Sequence, residues 1–140
     1  GYYLAGFVDG EGSFRLVFRK RADYKLPWKI SLSLNVSQRD REILARIKRY
    51  LKCGSLRHKG DDVWMWEVNN LTAIRENVIP FLSAKKKRDF AIFQRMAELM
   101  ADGAHLEKDG IVQLLELRRN MNDGGKRKYS EEQILGLFDA

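Results

Sequence analysis

The chain has 140 residues, of which 44% are hydrophobic and 11% aromatic, a composition that supports one packed domain and excludes a disordered chain. No apolar run approaches the ~20 residues that a membrane-spanning helix needs, and the single cysteine, Cys53, excludes an intrachain disulfide. Residues 1–60 hold 14 Lys and Arg against five acids, whereas residues 61–140 hold 12 against 14. Basic charge gathered in one half is typical of a protein that binds a polyanion, with nucleic acid the leading candidate.

The sequence LAGFVDGEGSF near the N-terminus predicts a helix over residues 1–9 that closes on two acids, Asp9 and Glu11. Acids at a helix C-terminus interact unfavourably with the negative end of the helix dipole. A residue choice that is locally unfavourable in this way is typical of a functional site. We expect Gly10 and Gly12 to carry the chain out of the helix in strained conformations that glycine tolerates. Mg²⁺ usually takes one or two carboxylates, and water and phosphate oxygens complete its octahedron. One helix end supplies too little, whereas two copies side by side would supply two carboxylates and could place metal at two phosphates.

Alternation with a period of two predicts strands that begin near residues 14 and 28 and are joined by a long loop. A second hairpin is predicted around a turn at residues 60–62. Glu67 sets the register of its returning strand, since a slip by one residue would bury this carboxylate. The predicted core face comprises Phe14, Leu16, Phe18, Ile30, Leu32, Leu34, Val36, Trp64, Trp66 and Val68.

The opposite face of these strands is basic and polar, and we interpret it as a nucleic-acid surface. Arg and Lys reach guanine acceptors, Asn and Ser add smaller polar contacts, and a two-stranded ribbon fits the major groove. An ordinary solvated face would carry more acids than Glu67 alone. With the adjoining loops included, the predicted DNA contacts are Arg15, Val17, Arg19, Arg21, Tyr24, Lys29, Ser31, Ser33, Asn35, Arg57, Lys59, Val63, Met65, Lys126, Arg127 and Lys128.

Helical spacing of apolar residues predicts the layer that covers the core face. One helix is predicted between a cap at Asp40 and a stop at Gly54, and a short helix over residues 71–81 is predicted to end near Pro80. Ser130 and Gln133 predict a capping box. Further helices are predicted over residues 90–100, 111–121 and 131–138.

The predicted fold class is α+β, in the order αββαββα, with a four-stranded antiparallel sheet covered by helices on one face. We expect a single domain over residues 1–140. It divides into a motif helix, a unit of sheet and helices, and a C-terminal helical region, over residues 1–9, 13–100 and 105–140.

Residues 4–12, LAGFVDGEG, resemble the signature motif of the LAGLIDADG homing endonucleases. The predicted order of elements is similar to that family's αββαββα fold, and the likeness extends almost end to end. Residues 36–38, 80–87 and 121–123 look like further segments of the family. Glu11 stands where the best-known single-motif members carry Asp.

This resemblance implies an endonuclease that hydrolyses both strands of a long DNA target near its centre and leaves short 3′ overhangs. It implies that Glu11 and the backbone carbonyl of Gly10 bind Mg²⁺ or another divalent cation such as Mn²⁺. It also implies that Gln38 and Lys85 complete the catalytic residues around the reacting water. No membrane and no small-molecule cofactor are expected as partners.

The motif occurs once, so cleavage of two strands with one motif acid per chain predicts a C₂ homodimer and a pseudo-palindromic target. Two alternatives stay open, an RNA-binding maturase and a DNA-binding protein on the same fold that has lost catalysis. The outer face lacks aromatic residues on which RNA bases stack, and the presence of Glu11 and Lys85 favours cleavage. The dimer interface is expected along the first helix, at Leu4, Ala5, Gly6, Phe7, Val8 and Asp9.

Overall fold

A four-stranded antiparallel sheet with helices on one face organises the chain. The structure is a computed structural model that describes residues 2–21, 26–82, 88–121 and 129–139. The predicted fold class and the order αββαββα are confirmed. The sheet has the spatial order β1-β2-β4-β3 and comprises β1 (Gly12–Lys20), β2 (Trp28–Gln38), β3 (Ser55–Gly60) and β4 (Val63–Val68).

Seven α-helices lie in the described ranges, together with one π-helical segment, Ile74–Val78, and two 3₁₀ turns, Ala104–Leu106 and Leu137–Asp139. None of these helices combines the length and apolar character needed to cross a membrane. The α-helices are α1 (Tyr2–Glu11), α2 (Arg41–Leu51), α3 (Leu71–Ala73), α4 (Ile79–Leu82), α5 (Arg88–Ala101), α6 (Lys108–Arg119) and α7 (Glu131–Gly136).

The predicted core face of the sheet is confirmed. Every residue named for it is buried except Trp64, which is half-buried near the start of β4. Helices α1, α2 and α5 cover this face, and burial of each Val, Leu, Ile or Phe side chain there contributes about 1.5–3 kcal/mol. One apolar side of α5 is also in the core, at Phe90, Phe93, Met96, Ala97 and Met100.

The second hairpin closes through Asp61 and Asp62, which both have positive φ angles, 51° and 61°. Two consecutive residues in this conformation match the twist of the flanking strands, and Asp is among the few side chains that adopt it readily. The predicted turn at residues 60–62 is therefore confirmed.

The first helix runs to Glu11, two residues further than predicted, and leads directly into β1. The prediction that Gly10 and Gly12 leave the helix in strained conformations is wrong, because neither has a positive φ. Gly12 is instead required by a close approach. A Cβ atom there would lie 2.4 Å from the carbonyl oxygen of Val8 and 3.1 Å from Cδ1 of Leu34.

One predicted helix end also needs correction. Helix α2 is capped by Asp40 as expected, but it ends at Leu51, and its C-cap Lys52 adopts a left-handed conformation with φ 57°. Gly54, two residues later, has φ 86°, and a Cβ there would meet the indole of Trp66. The short helix predicted over residues 71–81 is confirmed, since α3, the π-helical segment and α4 follow one another and α4 ends at Leu82, two residues after Pro80. The wider π-helical turn before Pro80 relieves the clash between the proline ring and the preceding turn.

The C-terminal helices are anchored to the first hairpin. The indole of Trp28 donates a buried hydrogen bond to the carbonyl of Ile134 at 2.8 Å. The capping box of Ser130 and Gln133 is confirmed, with both of its hydrogen bonds present. On α6, the buried Arg118 holds its guanidinium 5.2 Å from the ring centroid of Phe18.

The close approach at Gly12 makes a stability prediction. Gly12→Ala should lower the free energy of unfolding by about 1–3 kcal/mol, because the new methyl group must displace backbone rather than a flexible side chain. Gly136→Ala is the control, since a Cβ atom there meets nothing within 4 Å and should be neutral or stabilising by up to ~1 kcal/mol. Guanidinium denaturation of both variants measures the difference, and equal stability would contradict the packing described.

Candidate nucleic-acid interface and cleavage site

Glu11 and Gln38, named separately from the sequence, lie side by side. Gly12 at the start of β1 pairs with Val36 of β2, so the end of β2 reaches the end of α1. The Gln38 side-chain amide donates a long, exposed hydrogen bond of 3.5 Å to Oε2 of Glu11. The register of the sheet thus sets a carboxylate and an amide next to each other at one end of β1 and β2.

The end of α1 has the oxygen atoms that a hard divalent cation prefers. The Glu11 side chain is exposed. The carbonyl of Gly10 lies in the last turn of the helix, where backbone carbonyls have no N–H donor four residues later. Both groups are oxygen ligands of the kind that Mg²⁺ prefers. This turn contains no basic residue, so a cation there would compensate both the carboxylate and the negative end of the helix dipole. These atoms fit a divalent cation.

One chain supplies few of the ligands that such a cation needs. Within the ranges that the structure describes, no three His, Cys, Asp or Glu side chains lie close enough together to hold a metal ion. Lys85, expected near this site, falls in residues 83–87 and lies outside the described residues.

Burial raises the pKa of the Cys53 thiol. The thiol therefore stays protonated, which supports a structural role for this residue.

The outer face of the sheet carries the predicted basic stripe. Arg19 on β1 and Lys29 on β2 are exposed and directly opposite each other. Arg15, Val17, Ser31 and Asn35 continue this face and are half-buried between their neighbours. Long cationic side chains therefore border shorter polar ones, a combination suited to phosphates and base edges.

Two residues expected to contact DNA are buried on this face. Met65 is 4% exposed between Ser37 and Arg57, its partners on the adjacent strands. Ser33 is 5% exposed, and its hydroxyl lies 3.4 Å from Oε2 of Glu67. Their prediction as contacts needs correction, because neither leaves enough surface to reach a base.

The half-buried Glu67 lies within this basic surface. Its carboxylate forms an ion pair with the exposed Arg57 at 4.0 Å, an interaction that contributes at most ~1 kcal/mol to stability. The pair links Arg57 on the edge strand β3 to the neighbouring strand β4. Ser13 and Ser37 share the same face and were missed as candidates, although the period-two alternation places both there.

The loops that flank the sheet are only partly described. Arg21 is half-buried, and its backbone N–H donates to the carbonyl of Pro27 at 2.8 Å, which closes the base of the first loop. Lys59 and Val63 border the second hairpin turn, and Lys59 is exposed. Tyr24 and residues 126–128 lie outside the described residues.

Helix α1 is apolar on two sides. Leu4, Ala5 and Val8 are buried in the chain's own core, so the prediction that they form a dimer interface is wrong. The other side presents Tyr3, which is 66% exposed, with Phe7 one turn later and their ring centroids 6.5 Å apart. Gly6 on the same side is half-buried, while Asp9 as an interface residue stays a prediction.

The sequence profile described as LAGLIDADG endonuclease matches residues 4–97. The matched stretch contains α1, the whole sheet and most of the helical layer, including both Glu11 and Gln38. The chain therefore belongs to the LAGLIDADG endonuclease family, and the resemblance seen in its motif is confirmed.

Two relatives and one solved structure illustrate the likeness. Probable intron-encoded endonuclease 2 of Neurospora crassa is 27% identical over 138 residues, which cover 92% of this chain and 30% of that protein. DNA endonuclease I-CreI of Chlamydomonas reinhardtii is 26% identical, over 99% of this chain and 88% of that protein. The archaeal intron-encoded homing endonuclease I-Vdi141I, solved in complex with DNA, superposes with a TM-score of 0.84 at 27% identity, covering 99% and 93% of the two chains. The chain thus spans under a third of the Neurospora relative and most of the other two.

Proposed function

We propose that the chain is a site-specific homing endonuclease that makes double-strand breaks in a long, pseudo-palindromic DNA target as a homodimer. The observation that carries the proposal is the exposed Glu11 carboxylate beside the Gln38 amide, at the end of a basic four-stranded sheet. The sheet binds the duplex through its outer face, with Arg15, Arg19 and Lys29 toward phosphates or guanines. This brings the end of α1 to the centre of the target.

The proposed cofactor is Mg²⁺ or another divalent cation such as Mn²⁺. A similar protein, I-SmaMI, was solved bound to its uncleaved DNA target in the presence of calcium ions. Glu11 and the Gly10 carbonyl would hold it, because both are hard oxygen ligands at an accessible helix end. When bound, such an ion lowers the pKa of a water and stabilises charge on the phosphate. Glu11 then needs no general-base role of its own.

Gln38 and Lys85 are proposed to act around the scissile phosphate. The Gln38 amide has one N–H on Glu11 and a second donor and an oxygen left to orient a water molecule. Lys85 is proposed to stabilise the negative charge that develops on the phosphate oxygens. Its role is carried over from the family's active-site lysine.

The homodimer is supported by the exposed apolar side of α1. A helix that is apolar on two sides is usually buried on both. Among the described residues, Leu4 and Val8 are buried in the core, whereas Tyr3 is 66% exposed and Phe7 is half-buried. A second copy packed on Tyr3, Gly6 and Phe7 would bury the other side and bring two Glu11 carboxylates together. Two carboxylates, one from each chain, would then serve two strands.

The cleavage proposal is tested with a randomised library of long duplexes, incubated in Mg²⁺ or in EDTA, followed by sequencing of the ends. The wild type should yield metal-dependent ends with a pseudo-palindromic consensus. Glu11→Gln should lower cleavage by at least ~100-fold while retaining the duplex, because it removes a metal ligand and leaves the sheet unchanged. Glu98→Gln is the matched control, since Glu98 is an exposed acid paired with Arg95 on α5.

Two outcomes would contradict cleavage. If the Glu11→Gln variant cuts at the wild-type rate, Glu11 has no role in cleavage. Duplex binding without scission by the wild type in any divalent ion would favour the DNA-binding alternative. RNA binding in place of duplex binding would favour the maturase.

The dimer is tested by introducing a charge on the exposed apolar side of α1. Tyr3→Glu should convert a dimer into a monomer at micromolar concentration, because two glutamates would be buried facing each other. Leu106→Glu is the control, since Leu106 is a comparably exposed apolar residue (57%) on the 3₁₀ turn after α5. Sedimentation equilibrium measures both, and a wild-type monomer, free and on DNA, would refute the homodimer.

A further inference from the structure

A second basic surface lies on the helical side of the molecule. A groove of about 550 Å³ runs between α2 and the edge strand β3. We name it the α2 groove; Leu56 of β3 lines one side, and four cations from or just after the helix line the other. Arg49 is paired with Glu42, and we call the other three, Arg41, Lys48 and Lys52, the groove cations.

The α2 groove faces away from the proposed duplex surface. Helix α2 buries its apolar side, including Leu44 and Ile47, against the core face of the sheet, so its charged side points outward from that layer. Leu56 pairs with the core residue Trp66, whereas the neighbouring Arg57 belongs to the outer face. A duplex on the outer face would therefore leave the α2 groove open.

The fold explains the three groove cations only in part. They follow one face of the helix, and Arg41 and Lys52 are separated by about 16 Å along its axis. Within the described part of the chain, no carboxylate pairs with any of them, and Glu42 pairs instead with Arg49 at 3.2 Å. The helix dipole favours Lys48 and Lys52 near the C-terminus, but it disfavours Arg41 at the N-terminus.

Aromatic rings adjoin the groove at its Arg41 end. The guanidinium of Arg41 lies 5.1 Å from the ring centroid of the half-buried Trp64. The exposed ring of His58 lies 4.9 Å from that of Trp64. A positive groove that leads to an exposed aromatic ring is the usual arrangement for binding single-stranded nucleic acid, in which cations follow the backbone and a ring stacks on a base.

We propose that the α2 groove binds a single-stranded nucleic-acid segment. Arg41, Lys48 and Lys52 contact its successive backbone phosphates, and His58 stacks on one base. This site is separate from the duplex surface and does not depend on cleavage. Its ligand class is a single-stranded phosphodiester chain, and the experiment distinguishes RNA from DNA.

The test measures fluorescence anisotropy of labelled 12-nucleotide RNA and DNA strands of the same sequence, over a salt series and with saturating unlabelled duplex to occupy the outer face. The triple variant Arg41→Gln, Lys48→Gln, Lys52→Gln should bind at least ~10-fold more weakly at low salt. Its log–log salt slope should fall by about 2, since each phosphate contact in a single strand contributes about 0.7. The matched control changes three outer-face cations, Arg15, Arg19 and Lys29, to Gln and should leave single-strand binding unchanged.

Binding of both strands by the α2 triple variant at wild-type affinity would overturn the proposal, as would an equal loss in the outer-face triple variant. Thermal denaturation checks that the variants fold, which we expect because Gln replaces exposed side chains of similar helix propensity. His58→Ala, which leaves all three groove cations in place, should weaken binding by several-fold without changing the salt slope. Duplex cleavage by the α2 triple variant should equal that of the wild type, so failure of the groove and failure of the endonuclease proposal are told apart.

Discussion

The direct passage from helix α1 into strand β1 is the constraint on which the rest of the structure depends. Position 12 strongly favours glycine, because a Cβ atom there would clash with the carbonyl oxygen of Val8. Since β1 pairs with β2 from this first residue onward, the same junction fixes Glu11 beside Gln38. The proposed cleavage carboxylate is thus held by a helix end and a strand register, not by a flexible loop, which suits a group that must meet a phosphate accurately.

The strands of the sheet and helix α1 each have one side in the core and another at the surface, and this links the fold to its proposed function. Strands β1, β2 and β4 each bury one face in the core, and the opposite face of the sheet presents Arg19 and Lys29 outward. One sheet thus both stabilises the domain and carries basic residues on its surface. Helix α1 repeats this arrangement with apolar residues on both sides, Val8 inside and Tyr3 outside. Outward basic strands favour a nucleic-acid partner, whereas an outward apolar helix side favours a second copy of the chain.

Much of the fold could be predicted because its signals are local. Period-two alternation located the core face, and the chemistry of Asp40 and Ser130 located two helix starts. The errors depend on contacts between distant residues or on backbone detail. The burial of Met65 follows from strands on both sides, and composition could not show which side of α1 packs inward because both are apolar. The nearness of Glu11 and Gln38 required the strand register, although the acidic helix end indicated Glu11 and the family resemblance indicated Gln38.

The central claim is that each chain supplies the carboxylate for one strand. It is tested most directly with mixed dimers, prepared from wild-type and Glu11→Gln chains that carry different affinity tags, acting on a supercoiled plasmid that contains the selected target. We expect the mixed dimer to nick one strand and leave the other intact, whereas the wild-type dimer should linearise the plasmid. Linear product from the purified mixed dimer at the wild-type rate would contradict it.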